Sequence, residues 1–135
     1  MSGRNTDVPA LTREAEATLA QPMAQACPVR DVLERVGDKW SVLLVAQLYG
    51  GPRRFSELLH ATDGLSQRML TRTLRLLERD GLVWREVRPT TPPQVSYGLT
   101  PLGISLAGPL NTLVEWAVQN RAEVQTARHA YDRAG

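Results

Sequence analysis

The tightest constraint on this chain lies between Ser56 and Leu99, where two helical stretches are joined by a short glycine turn and followed by two strands with a proline-rich tip. Ser56 is placed to cap a helix running through Thr62, with Leu58 and Leu59 facing inward and Glu57 in the favourable first turn. Asp63 and Gly64 turn the chain, and Ser66 caps a second helix that ends at Asp80 and Gly81. Two helices separated by a turn of about four residues make a helix-turn-helix pattern. On the second helix Arg68, Arg72, Arg75 and Arg79 follow one another at spacings that hold them in one narrow stripe, and Leu70, Leu74 and Leu77 fall on the opposite side. Such a helix can bury its leucines while its guanidinium groups grip a polyanion, with DNA the first candidate. The competing reading is a solvated face in which Arg75 pairs with Glu78 or Asp80.

Val83–Arg88 and Val95–Leu99 alternate as strands: Val83 and Val87 share a face in the first, and Val95, Tyr97 and Leu99 share one in the second. Pro89, Pro92 and Pro93 form a stiff tip between them that cannot enter a sheet interior. Trp84 reads as a strand residue half-buried against the helices rather than as an exposed recognition aromatic.

The flanks are helical. Thr12 is placed to cap a short helix from Arg13 to Ala20, and a second is expected from Pro28 to Val36 with Gly37 as its stop. Asp38 caps a third, Lys39–Tyr49. Its Trp40, Val42, Leu43, Leu44, Val45 and Leu48 wrap most of the circumference and predict burial on nearly all sides. Thr100 and Pro101 open a last helical region reaching about Tyr131, which Pro109 is expected to kink or split. Beyond it Leu110, Leu113, Val114, Ala117 and Val124 form an apolar stripe that a small domain cannot easily cover, so a second subunit is the expected cover.

The chain-wide totals agree without deciding. At 135 residues and 42% hydrophobic the chain suits one compact domain. The net charge is only +2, but between Gly50 and Thr90 arginines outnumber acids, so the positive charge is local. With one cysteine, Cys27, neither an intramolecular disulfide nor a multi-thiolate zinc site is available. His60 and His129 lie far apart with no carboxylate or thiol at ligand spacing, so no metal and no cofactor is expected. There is no phosphate-binding glycine loop, no nucleophile elbow and no paired acid and base, so an enzyme is not expected. The start lacks the apolar block of a signal peptide, and no run approaches the ~20 residues that span a bilayer. A cytoplasmic protein without membrane contact is expected.

Gly37, Lys39 and Trp40 ahead of an apolar helix, then Arg54, Phe55, Glu57 and Leu58, then Gly64, Leu65 and Ser66 with Met69 and Leu70, closely resemble the HxlR-type family of prokaryotic winged-helix regulators, relatives of MarR. The match continues through Leu77, Glu78, Gly81, Leu82, Val83, Pro92, Pro93, Val95, Tyr97, Leu99, Thr100, Leu102 and Gly103. Cys27 and Pro28 fall where that family often carries a Cys-Pro pair, and the resemblance spans roughly Cys27 to Trp116. The chain departs from the family at four wing positions: Arg88 replaces a common tyrosine, Gln94 a basic residue, Gly98 a polar one and Trp84 a charged one.

The resemblance implies a mostly α fold with a small β-wing, a winged helix-turn-helix flanked by dimerisation helices. The expected division is an arm at 1–26, the winged domain at 27–103 and a dimerisation region at 104–135. The implied function is transcriptional regulation, as repressor or activator, by a homodimer on a pseudo-palindromic double-stranded DNA operator. Ser66, Thr71 and backbone amides would hold phosphates, Gln67, Arg68 and Arg72 would read base edges, and Arg75 with Arg88 and Gln94 of the wing would grip flanking backbone. A small-molecule or oxidant effector is expected. Cys27 is either an ordinary small hydrophobe or, as in some members of the family, a regulatory thiol. A winged-helix module that contacts proteins instead, through Trp84 and the last helix, is the alternative.

Overall fold

The computed structural model describes residues 10–20 and 28–135. Two compact units divide the chain, Met1–Gly37 and Asp38–Gly135. The first holds α1 (Arg13–Leu19), where the Thr12 hydroxyl accepts from the Ala15 amide at 3.1 Å as its cap, and α2 (Pro28–Gly37).

The second unit runs α3 (Lys39–Tyr49), β1 (Arg53–Arg54), α4 (Phe55–Ala61), α5 (Gln67–Arg79), β2 (Val83–Arg88), β3 (Gln94–Leu99) and α6 (Pro101–Ala134). It is mostly helical, with one antiparallel sheet in the order β1-β3-β2. The β2–β3 register pairs Val83 with Leu99, Arg85 with Tyr97 and Val87 with Val95, so the expected apolar faces of the two strands coincide. At the tip the Thr90 hydroxyl donates to the Pro92 carbonyl at 2.8 Å.

The core is a leucine cluster shared by four helices and closed by the sheet. Leu44, Val45 and Leu48 of α3, Leu58 of α4, Leu70, Leu74 and Leu77 of α5, and Ala107 and Leu110 of α6 are buried, together with Val83 and Tyr97. Full burial of each leucine contributes roughly 1.5–3 kcal/mol, so α5 is held chiefly by its inward face. The exit from α5 is tightly organised. Gly81, at φ 76°, lets its own amide donate to the Glu78 carbonyl and the Leu82 amide donate to the Leu77 carbonyl, each at 3.0 Å, a Schellman turn. The Thr100 hydroxyl donates to the Gly81 carbonyl at 2.6 Å and accepts from the Gly103 amide at 3.1 Å, which ties the start of α6 to the end of α5.

Three expectations are corrected, and one element is added. The α4 cap is Arg54 rather than Ser56: the Glu57 carboxylate accepts from the Arg54 amide at 2.8 Å, so the helix begins two residues earlier. Leu43 is exposed with Ala46 and Tyr49, because the buried face of α3 is the one carrying Ser41, Leu44, Val45 and Leu48. Pro109 does not split the last helix, which is continuous from Pro101 to Ala134. The proline removes one bond of a long ladder, and the turns on both sides keep theirs. Strand β1 is new: two residues carry no readable alternation, and their pairing to Tyr97 and Ser96 is purely tertiary.

Candidate nucleic-acid interface

Helix α5 is the centre of the candidate interface. The Ser66 hydroxyl accepts from the Met69 amide at 3.1 Å, which satisfies one orphan donor of the first turn and leaves the hydroxyl's own proton available to a ligand. Leu70, Thr73, Leu74 and Leu77 are buried, and the Thr73 hydroxyl closes on the Met69 carbonyl at 2.9 Å. The opposite face is therefore fixed outward. Gln67, Arg68, Thr71, Arg72 and Arg75 line one depression on that face together with Leu76. Arg68, Arg72, Arg75 and Arg79 are exposed and make no ion pair with a described residue, so Arg75 is not held by Glu78 or Asp80. Thr71 differs from its neighbours: it is half-buried and its hydroxyl donates to the Gln67 carbonyl at 2.9 Å, which occupies its only proton.

The wing residues sit apart from that group. Arg88 and Gln94 are direct cross-strand partners at the tip end of the sheet, and the Arg88 guanidinium lies 3.5 Å from the Glu86 carboxylate on the same strand face. Both members of that pair are exposed, so it restrains Arg88 only weakly.

A second cleft, of about 400 Å3, opens between the start of α4, α5 and the wing. Arg54, Ser56, Thr71 and Arg85 supply its polar groups, and Phe55, Pro93, Val95 and Tyr97 its apolar wall. The Phe55 and Tyr97 rings pack at 6.5 Å between centroids, tilted by 47°. Arg54, Ser56 and Arg85 are not among the residues expected from the sequence. Alternation was the available signal for Arg85, which stands two residues from both Val83 and Val87 and so shares their face, while nothing local marks Arg54 as lining the same cleft.

Trp84 is half-buried, as expected, and its indole lies over Gly98, its cross-strand partner. On α6, Leu113 (53% exposed), Val114 and Ala117 are open and Val124 is half-buried, but Leu110, at 5%, belongs to the core of its own unit and leaves the expected stripe. Trp116, 56% exposed and one turn from Leu113, joins that stripe in its place. Cys27 lies outside the described residues. Among the described residues no cluster of three His, Cys, Asp or Glu side chains is placed to hold a metal, and no helix is long and apolar enough to cross a membrane.

Residues 35–125 match the HxlR-like helix-turn-helix family. The HTH-type transcriptional regulator YtfH of Escherichia coli (strain K12) is 40% identical over 105 residues, covering 78% of this chain and 83% of the relative. Among solved structures, the transcriptional regulator ytfH from Salmonella typhimurium superposes with a TM-score of 0.74 at 37% identity, covering 80% of this chain and 97% of the other. The redox regulator HypR in its reduced form gives a TM-score of 0.68 at 38% identity, covering 73% and 98%, and its oxidized form is also similar.

Proposed function

The chain belongs to the HxlR-like helix-turn-helix family, whose relatives are named as transcriptional regulators, and from that premise we propose that it binds a pseudo-palindromic DNA operator as a homodimer. The observation that carries this reading is the outward face of α5. Its guanidinium groups have no ion-pair partner among the described residues, on a helix whose other face is locked into the core. In the major groove, Gln67, Arg68 and Arg72 meet base edges, where arginine forks guanine. Ser66 and the free amides at the start of α5 take a phosphate, and Arg75, with Arg88 and Gln94 of the wing, takes flanking backbone. Thr71 contributes only after its hydroxyl turns away from Gln67.

The exposed α6 stripe of Leu113, Trp116 and Ala117 supports dimerisation, since a second copy is the simplest cover for it. Two α5 helices would then meet successive major-groove faces about 34–36 Å apart. The test is footprinting on the promoter beside the gene, followed by titration of wild type and Arg72→Ala. A protected pseudo-palindrome with affinity lost in the variant supports the reading. Equal binding by both proteins, or no protection, favours the protein-contact module instead.

Regulation is proposed to be oxidative, through Cys27. What supports it is the likeness to HypR, named as a redox regulator, together with the presence of a single thiol. A peroxide would take two electrons from the thiolate, leaving a sulfenic acid. Condensation with Cys27 of a second chain would form a disulfide and release water. Operator affinity that changes with peroxide in wild type but not in Cys27→Ser supports this, and an equal response in both removes it.

A further inference from the structure

We propose that the cleft between α4, α5 and the wing is a clamp for one phosphodiester of the DNA backbone, with Arg54 and Arg85 as its jaws. It rests on the reading of α5 as the DNA-contacting helix and adds to it a site that is not on that helix's arginine stripe. Arg54 stands at the end of β1, where the chain enters α4, and Arg85 on β2, with β3 between the two strands, and both line this cleft, so two permanent positive charges border it.

No acidic side chain lines the cleft. The Glu57 carboxylate accepts from the Arg54 amide at 2.8 Å and keeps its charge beside it, and Glu86, in the Ser96 row with Arg54 and on the face opposite Arg85, pairs with Arg88. Neither guanidinium makes an ion pair with a described residue. Two positive residues bordering one cleft favour an anion there, and guanidinium forks match phosphate oxygens. The Ser56 hydroxyl adds a neutral donor at the same cleft.

The remaining wall selects the kind of phosphate. Pro93 and Val95 offer an apolar surface beside the charged groups, which suits a deoxyribose attached to the phosphate better than a free hydrated ion. Thr71 lines this cleft and also the arginine face of α5, so a phosphate held here lies directly beside the groove that α5 would read. The clamp would set the angle of α5 in the groove without reading sequence.

The experiment is the salt dependence of binding to a mixed-sequence duplex, for wild type, Arg54→Gln, Arg85→Gln and the double variant. The logarithmic slope should fall by about 0.9 for each single change and about 1.8 for the double, with equal weakening on every sequence. Arg54→Lys and Arg85→Lys should keep the slope and bind less tightly, because charge remains and the fork is lost. Should the glutamine variants melt early, the lysine variants decide alone, and unchanged affinity in them overturns the clamp. A wild-type slope in a folded double variant, while Arg72→Ala still loses operator preference, overturns the clamp and leaves the α5 reading intact. Loss in none of these variants overturns both.

Discussion

Trp84 and Gly98 stand directly opposite each other on β2 and β3, and the indole ring occupies the volume into which a side chain at 98 would project. Each residue departs from the pattern common in the HxlR family, and the structure makes the two departures one event. An aromatic ring of this size can lie flat on the neighbouring strand only where that strand carries no Cβ. The pair sits at the end of the sheet nearest α6, away from the wing tip, so it bears on wing rigidity rather than on contact.

Adding a methyl at this point should therefore be costly. Gly98→Ala is expected to destabilise by about 1–3 kcal/mol, the range for overpacking, because the indole must leave its place. Introducing Trp84→Ala alongside it should recover much of that loss, giving a double-mutant cycle far from additive. Denaturant unfolding of the four proteins measures it, and additive losses would show that the ring and the glycine are not coupled.

The arginines of α5 should separate into two classes. Arg68→Ala and Arg72→Ala are expected to cost roughly 1–3 kcal/mol on the operator and to relax preference at one position per half-site. Arg75→Ala should weaken all sequences alike and reduce the salt slope by about one. Competition titrations against single-base operator variants, at two or more salt concentrations, distinguish these outcomes.

Ser66 has two jobs that substitution can part. Ser66→Ala removes the acceptor for the Met69 amide and should lower stability by about 0.5–2 kcal/mol, whereas Ser66→Gly should cost only a few tenths. Both lose the hydroxyl proton offered to a phosphate. Equal loss of DNA affinity in two proteins of unequal stability would assign the hydroxyl to the ligand; affinity tracking stability would assign it to the cap alone.

Two leucines one turn apart on α6 should behave in opposite ways. Leu113→Asp is expected to turn a dimer into a monomer with little change in the stability of the subunit, since Leu113 is open in the single chain. Leu110→Ala should leave assembly alone and destabilise the fold by about 2–5 kcal/mol, because Leu110 is buried in its own core. Sedimentation and chemical unfolding, run on the same samples, read the two effects separately.

What the sequence determined by itself was whatever depends on neighbours within one element. The stripe of Arg68, Arg72, Arg75 and Arg79 against Leu70, Leu74 and Leu77 follows from helical period alone, the caps at Asp38, Ser66 and Thr100 from short polar side chains that accept amides in the next turn, and the β2 and β3 faces from alternation. Tertiary structure decided everything that required a second element. It paired Arg53 and Arg54 with β3, where two residues show no period, and it set Arg54 and Arg85 on the lining of one cleft. It also buried Leu110 while leaving Leu113 open, and set Trp84 on Gly98. Periodicity specifies which residues share a face, but only register and packing specify what that face meets, since those are set by contacts between residues far apart in the chain.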